Sequence, residues 1–315
     1  MKAYVVGRGA VGTFLGDRLA SIGVDVAYAP RELGAVEPVE ADVAIVATKA
    51  YDTQGAIETL HRALRAPETC VFVTPQNGIG NEEALAAAFG ARNVVAAALT
   101  VPVGVDADGR GTAANEGGLA FAPVGESAFN WLVATFASSG IAVGVVDDYR
   151  ALKWSKLALN IVANASCAIL DVLPGRVVGM PEVFALEIAA IRETRAVMRA
   201  MAVKPIDLPR YPVRALFAIA ALPPAIGRRV LAGRIARGRG EKPPSLLLDV
   251  RAGNRRSEVA YLNGAVAAAG ARLGVPTPAN ALFAATLEAI AHDPQLRERY
   301  RNNPDALTGA RKHAS

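Results

Sequence analysis

Near the start of the chain, Ala3-Tyr4-Val5-Val6 runs directly into Gly7-Arg8-Gly9-Ala10-Val11-Gly12, and an apolar-periodic stretch from Val11 to Ile22 then ends at Gly23. The order is strand, glycine turn, helix, and it leaves few folds open. In G-x-G-x-x-G the first glycine permits a tight turn. The second lets a pyrophosphate approach the backbone, and the third lets the helix pack closely on the strand. The helix N-terminus then directs its unbonded N–H groups at the phosphates. Gly7, Gly9, Ala10, Val11 and Gly12 are the candidate cofactor-binding residues, and the expected fold is a doubly wound α/β sheet. A tight βα turn without a ligand would use the same glycines, so the motif has to be weighed with the rest of the chain.

The second strand reads as Val24 to Tyr28 and is followed by Ala29-Pro30-Arg31. An acid at this point would accept hydrogen bonds from a ribose 2′-OH. Arg31 instead suits a 2′-phosphate, which favours NADP over NAD, although Glu32 stands beside it and a solvated loop charge is the plain alternative. A third strand, Ala41 to Thr48, ends at Lys49. A helix-like stretch, Thr53 to Leu64, leads to Cys70 to Thr74 and then Pro75-Gln76-Asn77-Gly78. Lys49 and Asn77 thus both follow strand C-termini, the edge at which open parallel sheets bind ligands. Asn-Gly is also an ordinary turn signal. Val94 to Val103 and Gly117 to Ala122 read as strands flanking a hairpin turn at Asp106 to Gly109, and Ile141 to Val146 reads as the last strand.

Beyond Asp147-Asp148 the strand patterns vanish. The expected division is a dinucleotide-binding domain over 1–148 and an all-helical domain over 149–315. The helical half opens with Trp154 to Asn164, in which Lys156, Asn160 and Asn164 stand four residues apart. On one continuous helix they would form a polar line down one face. Leu157, Leu159, Ile161, Val162 and Ala163 fill most of the remaining circumference, which predicts a buried helix. A buried lysine and two amides need partners. A cleft holding a polar ligand would supply them; a stripe facing water would not need them. Further helices are expected over Pro181 to Met201, Ser257 to Leu273 with a mild interruption at Gly264, Pro278 to Ala291 and Pro294 to Arg301, with Asn302 to Ser315 fraying. The stretch from Lys204 to Pro244 carries seven prolines and a basic run, Arg228, Arg229, Arg234, Arg237, Arg239 and Lys242. It has no interleaved aromatics, so it reads as a solvated face rather than a nucleic-acid or membrane-surface patch.

Composition narrows the class. With 315 residues, 52% of them hydrophobic and 20% charged, the chain suits two globular domains. Its net charge of +5 is mild and favours anionic small molecules. Cys70 and Cys167 sit in apolar runs and read as buried thiols of a reducing compartment. No apolar leader opens the sequence, and the apolar run Ala215 to Ile226 is broken by Pro223-Pro224 and too short to span a bilayer. A cytoplasmic protein without nucleic-acid or membrane partners is expected. His61, His292 and His313 are isolated, so no metal site is expected.

Taken in order, Gly7-x-Gly9-x-x-Gly12, Lys49, Asn77-Gly78, the Lys156/Asn160/Asn164 helix, Ser245-x-x-x-Asp249 and Ser257-Glu258-x-x-x-Leu262-Asn263-Gly264 resemble the successive motifs of the ketopantoate reductase family. The resemblance runs from residue 3 to about residue 290. It implies a Rossmann-type doubly wound sheet followed by an all-α C-terminal domain resembling that of 6-phosphogluconate dehydrogenase, with the active cleft between them. It implies NADPH-dependent reduction of 2-dehydropantoate to pantoate, a step toward pantothenate and coenzyme A. Residue by residue, it makes Lys156 the general acid and Glu258 the carboxylate that holds the substrate hydroxyl. It makes Asn160 and Asn164 substrate amides, and Ser245 a hydroxyl near the substrate carboxylate. Asn77 and Lys49 become neighbours of the nicotinamide and ribose, and Arg31 the 2′-phosphate contact. From the residues alone, Glu258 would be a first-turn acid behind a Ser257 cap, and Ser245 a cap after Pro243-Pro244.

The chain departs from the family pattern. Only 18 positions separate Arg31 from Lys49, so a strand and helix that normally follow the second strand are expected to shrink to a loop. Asp249 and Glu258 stand one residue further apart than usual, Asn164 lacks the following proline, and Lys204 to Pro244 is longer and more basic. These changes leave the reaction type firmer than the substrate: 2-dehydropantoate, another 2-oxoacid or bulky ketone, or a catalytically silent NADP-binding protein. A monomer and a homodimer both stay open.

Overall fold

The computed structural model describes residues 1–30, 37–113, 117–238 and 242–312. Arg31, Glu32, Arg239 and His313, all singled out in the sequence, lie outside them. The chain divides into two compact units, Met1–Lys156 with Ile206–Tyr211, and Leu157–Pro205 with Pro212–Ser315.

Among the described residues the first unit carries nine strands: β1 (Lys2–Val6), β2 (Asp25–Tyr28), β3 (Val43–Val46), β4 (Val71–Thr74), β5 (Val94–Leu99), β6 (Val103–Val105), β7 (Gly111–Ala113), β8 (Gly118–Pro123) and β9 (Ala142–Val145). Seven form one sheet in the order β2-β1-β3-β4-β5-β8-β9. All neighbours are parallel except β5 and β8. The expected doubly wound sheet is therefore present, and the order reverses at β1, the strand that leads into the glycine turn. Helices α1 (Ala10–Ala20), α2 (Thr53–Ala63), α3 (Asn81–Phe89) and α4 (Asn130–Ser138) belong to this unit. Alternate residues of β1 enter two cores. Ala3 and Val5 join Phe14, Leu15 and Phe136, while Tyr4 and Val6 join Ile57, Leu60 and Leu85. A strand covered on both faces needs apolar residues at every position, which is why it reads as a continuous run.

Val94 to Val103 is not one strand. β5 stops at Leu99, and β6 and β7 form a separate hairpin around the turn at Asp106 to Gly109, packed on α1. Gly111 donates its N–H to Asp17 of α1 at 2.7 Å. Between β2 and β3 the described residues form no helix; an isolated bridge joins Val39 to Leu64. Consequently Asp25 and Ala27, on one face of β2, are exposed.

The second unit is helical. α5 (Tyr149–Asn160) runs across the boundary into it. After it come α6 (Ala165–Leu170), α7 (Pro174–Val178), α8 (Pro181–Ala200), α9 (Val213–Ala221), α10 (Pro224–Gly238), α11 (Ser245–Arg251), α12 (Asn263–Leu273), α13 (Pro278–His292), α14 (Pro294–Tyr300) and α15 (Pro304–Lys312). α8 packs against α9, α12 and α13. Three expectations fail here. The helix through Asn164 stops at Asn160, because Ala163 takes a left-handed conformation (φ 49°) and gives its N–H to the buried Glu187 carboxylate at 2.7 Å. Ser257 to Leu273 breaks at Leu262 rather than Gly264, with a 3₁₀ turn over Glu258–Tyr261 before α12. The C-terminal segment does not fray through its whole length, because Leu307 of α15 is fully buried. Asp171, at the end of α6, draws in Arg251 at 2.7 Å, Arg297 at 3.3 Å and Arg301 at 3.7 Å, tying α11 and α14 to α6. The basic residues Arg228, Arg229 and Lys242 are exposed, in keeping with a solvated face. No helix among the described residues is long and apolar enough to cross a membrane.

The glycine turn yields a paired prediction. A β-carbon at Gly12 would strike the carbonyl oxygen of Gly7, whereas one at Gly9 meets nothing within 4 Å. Gly12→Ala is expected to cost about 1–3 kcal/mol of stability through overpacking. Gly9→Ala should leave the thermal melting point unchanged, which a thermal unfolding scan of both variants checks.

Candidate active site

The turn after β1 gives Gly7 a φ of 103°, open to glycine and strained for other residues. A β-carbon there would also stand 2.6 Å from the backbone of Ala47 and Thr48, just beyond β3. The turn is thus pressed against the neighbouring strand, and α1 begins at Ala10 with Gly9 as its N-cap. No side chain caps that helix, so its first N–H groups face outward from the turn. Beside it lies a groove of about 410 Å³ lined by Val6, Gly7, Arg8, Ala29, Pro30, Thr48, Asp52, Gly55, Ala56 and Thr59. The Arg8 guanidinium lies 5.0 Å from the centre of the Tyr28 ring. The residues on which β2 ends, Tyr28-Ala29-Pro30, include no acid.

Further along the same edge, Gln76 draws the ends of β3 and β4 together. Its side-chain N–H groups reach the Thr48 carbonyl at 3.1 Å, the Thr48 hydroxyl at 3.1 Å and the Thr53 hydroxyl at 2.9 Å, with the Lys49 carbonyl at 3.5 Å. Its amide oxygen accepts from the Thr74 hydroxyl at 3.1 Å. Asn81 then holds the Asn77 carbonyl at 3.2 Å and accepts from Thr53 at 2.8 Å. Lys49 and Asn77 are therefore brought to one network, both half-buried. Gln76, only 4% exposed, joins them, and the sequence reading missed it. A glutamine before an Asn-Gly turn gives no signal of its own.

The buried lysine of α5 is Lys153 rather than Lys156. Lys153 is 3% exposed, whereas Lys156 is half-buried. The Lys153 ammonium lies 2.8 Å from Glu82 of α3 and donates to the Gln76 carbonyl at 2.6 Å. The carbonyls of Ala97 and Thr74 stand at 3.3 and 3.5 Å. Burial pushes the Glu82 carboxyl above the usual carboxylate range, against the pull of Lys153. One turn earlier on α5, the Tyr149 hydroxyl donates to Glu83 at 3.2 Å. Burial and the neighbouring Glu83 push that phenol up to about 12. The charge inside Ala151-Leu152-Lys153-Trp154 was the available signal for Lys153. Nothing in Glu82-Glu83 marks which of the two turns inward.

In the second unit, Asn160 ends α5 and Asn164 stands at the N-cap of α6, both buried. The side-chain oxygen of Asn164 accepts the N–H of Leu246 at 3.1 Å, so it caps α11 from outside that helix. This brings Asn164 to Ser245, the exposed first residue of α11. Ser245 is accordingly not the cap that Pro243-Pro244 suggested; Pro244 holds that position. Ser257 does cap the 3₁₀ turn, accepting the Val259 N–H at 3.2 Å, and Glu258 behind it is 5% exposed. An ordinary first-turn acid would face water, so burial sets Glu258 apart. Among the described residues no group of histidine, cysteine and carboxylate side chains could hold a metal. Cys70 and Cys167 are buried thiols, and burial pushes Cys70 up to about 12.

A family model described as ketopantoate reductase PanE/ApbA matches residues 28–126, and one for the ketopantoate reductase PanE/ApbA C terminal matches residues 148–291. The 2-dehydropantoate 2-reductase of Pyrobaculum aerophilum is 32% identical over 257 residues, which span 80% of this chain and 78% of that protein. The crystal structure of the PanE/ApbA family ketopantoate reductase from Ralstonia eutropha JMP134 matches at a TM-score of 0.75 and 26% identity, covering 95% of this chain and 99% of the other. D-mandelate dehydrogenase in complex with NADH shares the fold, with a TM-score of 0.75 at 19% identity over 92% and 99% of the two chains. Motif order, fold and these matches agree, and the chain belongs to the ketopantoate reductase family.

Proposed function

We propose that this protein is an NADPH-dependent 2-oxoacid reductase that converts 2-dehydropantoate to pantoate. The observation that carries the reading is the glycine turn at the C-terminal edge of β1. Its backbone is open above Gly9, it ends on an uncapped helix N-terminus, and it borders a groove able to take an adenosine. A pyrophosphate fits that cradle, and Gly7, Gly9, Ala10, Val11 and Gly12 would hold it. Arg8, in the groove, is the described cation placed to favour a 2′-phosphate. Arg31, the other candidate, is carried by its position in the sequence. The missing acid at the end of β2 supports NADP over NAD.

NADPH, when bound, supplies the hydride for the ketone carbon. The chain's own part is to hold the ketone and manage the charge that gathers on its oxygen. Lys156 is half-buried, so its ammonium is shielded enough to count and open enough to reach a substrate. It would donate its proton to the carbonyl oxygen as the pair of the breaking C=O π bond moves onto that oxygen, which leaves a neutral amine to be reprotonated from solvent. Glu258 holds the hydroxyl formed, and Asn160, Asn164 and Ser245 bind the rest of the substrate. Asn164 already uses its side-chain oxygen to cap α11, so it has N–H donors to offer. Donors suit a carboxylate, the group that every 2-oxoacid carries. Lys49 and Asn77, drawn into one network by Gln76 and Asn81, would hold the nicotinamide side of the cofactor.

The test is the loss of NADPH absorbance with 2-dehydropantoate, run beside NADH and other 2-oxoacids. Turnover on a different ketone alone would assign the changed helical segment a different substrate. Silence on all of them, with NADPH still bound, would make this a binding protein. Lys156→Ala is expected to lower kcat by about 10²–10⁴ while NADPH binding persists; equal loss of both in a folded variant refutes the general-acid role. Arg31→Ala and Arg8→Ala should each weaken NADPH by about tenfold or more, the worth of a charge-assisted contact, and spare NADH. Titration of both cofactors against each variant reads this directly.

A further inference from the structure

We propose that Lys153 and Glu82 are positioning residues of the reductase site, fixing the Gln76–Asn77 backbone and the seat of α5 from which Lys156 projects. The inference rests on the reductase reading for its kinetic consequence, but not for its structural one. Lys153 is 3% exposed and Glu82 1% exposed, so the ammonium and carboxylate have left water together. The ammonium has three hydrogens, and its near oxygens number four. Glu82 stands at 2.8 Å, Gln76 at 2.6 Å, Ala97 at 3.3 Å and Thr74 at 3.5 Å. Three of these are backbone carbonyls: Thr74 ends β4, Gln76 lies just beyond it where the chain leaves the sheet, and Ala97 lies within β5. The shortest contact is to the carbonyl that immediately precedes Asn77.

A buried ion pair is a poor way to gain stability, because desolvation offsets its attraction and apolar residues of similar size often serve as well or better. What such a pair does supply is direction. Glu82, the second residue of α3, fixes where the ammonium sits, and the ammonium fixes the Gln76 carbonyl. The Gln76 side chain meanwhile holds Thr48 and Thr53. One backbone position is thereby held from three elements. Lys153 also pins α5 at a point three residues before Lys156, so the same contact sets the rotation and height of the helix that carries the proposed acid. Burial holds the Glu82 carboxyl above its ordinary range, the sign of a group kept in place at a cost.

The test is the full-length Lys153→Met/Glu82→Leu variant, which removes both charges and keeps volume, compared with Glu82→Gln, which keeps shape and one acceptor. Melting temperature, NADPH affinity, kcat and KM, and amide hydrogen exchange over Asn77 to Gly80 are measured on each. The expected result for the double variant is a melting temperature near that of the parent, NADPH binding retained through the glycine turn and faster exchange in the 77–80 amides. Its kcat should fall at least about tenfold, since small misplacements of reacting groups are costly. In exchange and kcat Glu82→Gln, which still holds the ammonium, should lie between the two, while its melting temperature should fall below both because a buried ammonium loses its charge partner. A folded double variant with parental exchange and parental kcat overturns the proposal. If the double variant does not fold, Glu82→Gln with parental exchange and kcat overturns it alone. If the parent turns over no 2-oxoacid, the reductase reading fails instead, and the exchange rates still decide whether this pair holds the loop.

Discussion

The first unit depends on how closely α1 approaches β1. The carbonyl oxygen of Gly7 occupies the space where a side chain of residue 12 would begin, and Gly7 itself leaves no room for one against Ala47 and Thr48. Two absent side chains therefore set the distance between helix, turn and neighbouring strand. That distance lets Phe14, Leu15 and Leu19 bury against the sheet face formed by Ala3, Val5, Val43 and Ile45. It also turns the backbone outward at Gly9, where nothing stands above it. The close packing of helix on strand and the open backbone above Gly9 thus share one cause.

The sheet was legible because its physics is local. Strands covered on both faces must be apolar throughout, and β1, β3, β4 and β5 read that way without help from the rest of the chain. The helix breaks were not legible, because distant groups create them. Nothing in Leu159-Asn160-Ile161-Val162-Ala163-Asn164 forbids a continuous helix. The break exists because Glu187, on another helix, takes the N–H of Ala163 in a left-handed conformation. The C-terminal segment failed in the opposite sense. Its composition is polar, yet one buried residue, Leu307, seats α15 against α8 and α13.

The site divides in the same way. Gly7, Gly9, Lys49 and Asn77 could be singled out because each follows a strand, and the edge of a parallel sheet is where its ligands gather; Gly12 came with the glycine motif. The lysines of α5 could not be told apart by periodicity. Lys156 aligns with Asn160 and drew attention; Lys153 is the one the fold buries. What separates them is Glu82, far away in the sequence, and three carbonyls whose positions only the sheet defines. Gln76 was hidden for a related reason. A glutamine is unremarkable until its amide is seen to bridge the ends of two strands. Asn164, by contrast, drew attention as a substrate amide, and what the fold shows is its oxygen capping a helix that local sequence leaves uncapped.

The shortened connection after β2 shows which parts of the cofactor groove the fold can spare. In a doubly wound sheet the element between the second and third strands would cover the outer face of β2, and here Asp25 and Ala27 stand exposed instead. An uncovered edge strand invites pairing with other chains, but β2 is four residues long, opens on a charge and is followed closely by Pro30, all features that discourage such pairing. The groove survives as well. Of its described lining only Ala29 and Pro30 come from beyond β2, while Val6 and Gly7 follow from β1, Thr48 from beyond β3, and Gly55, Ala56 and Thr59 from α2. Its floor is thus built by elements that the core already requires. A connection can shrink at the rim without unmaking a groove whose walls are the sheet itself, and Arg8, which follows directly on Gly7 of the glycine turn, stays in that groove.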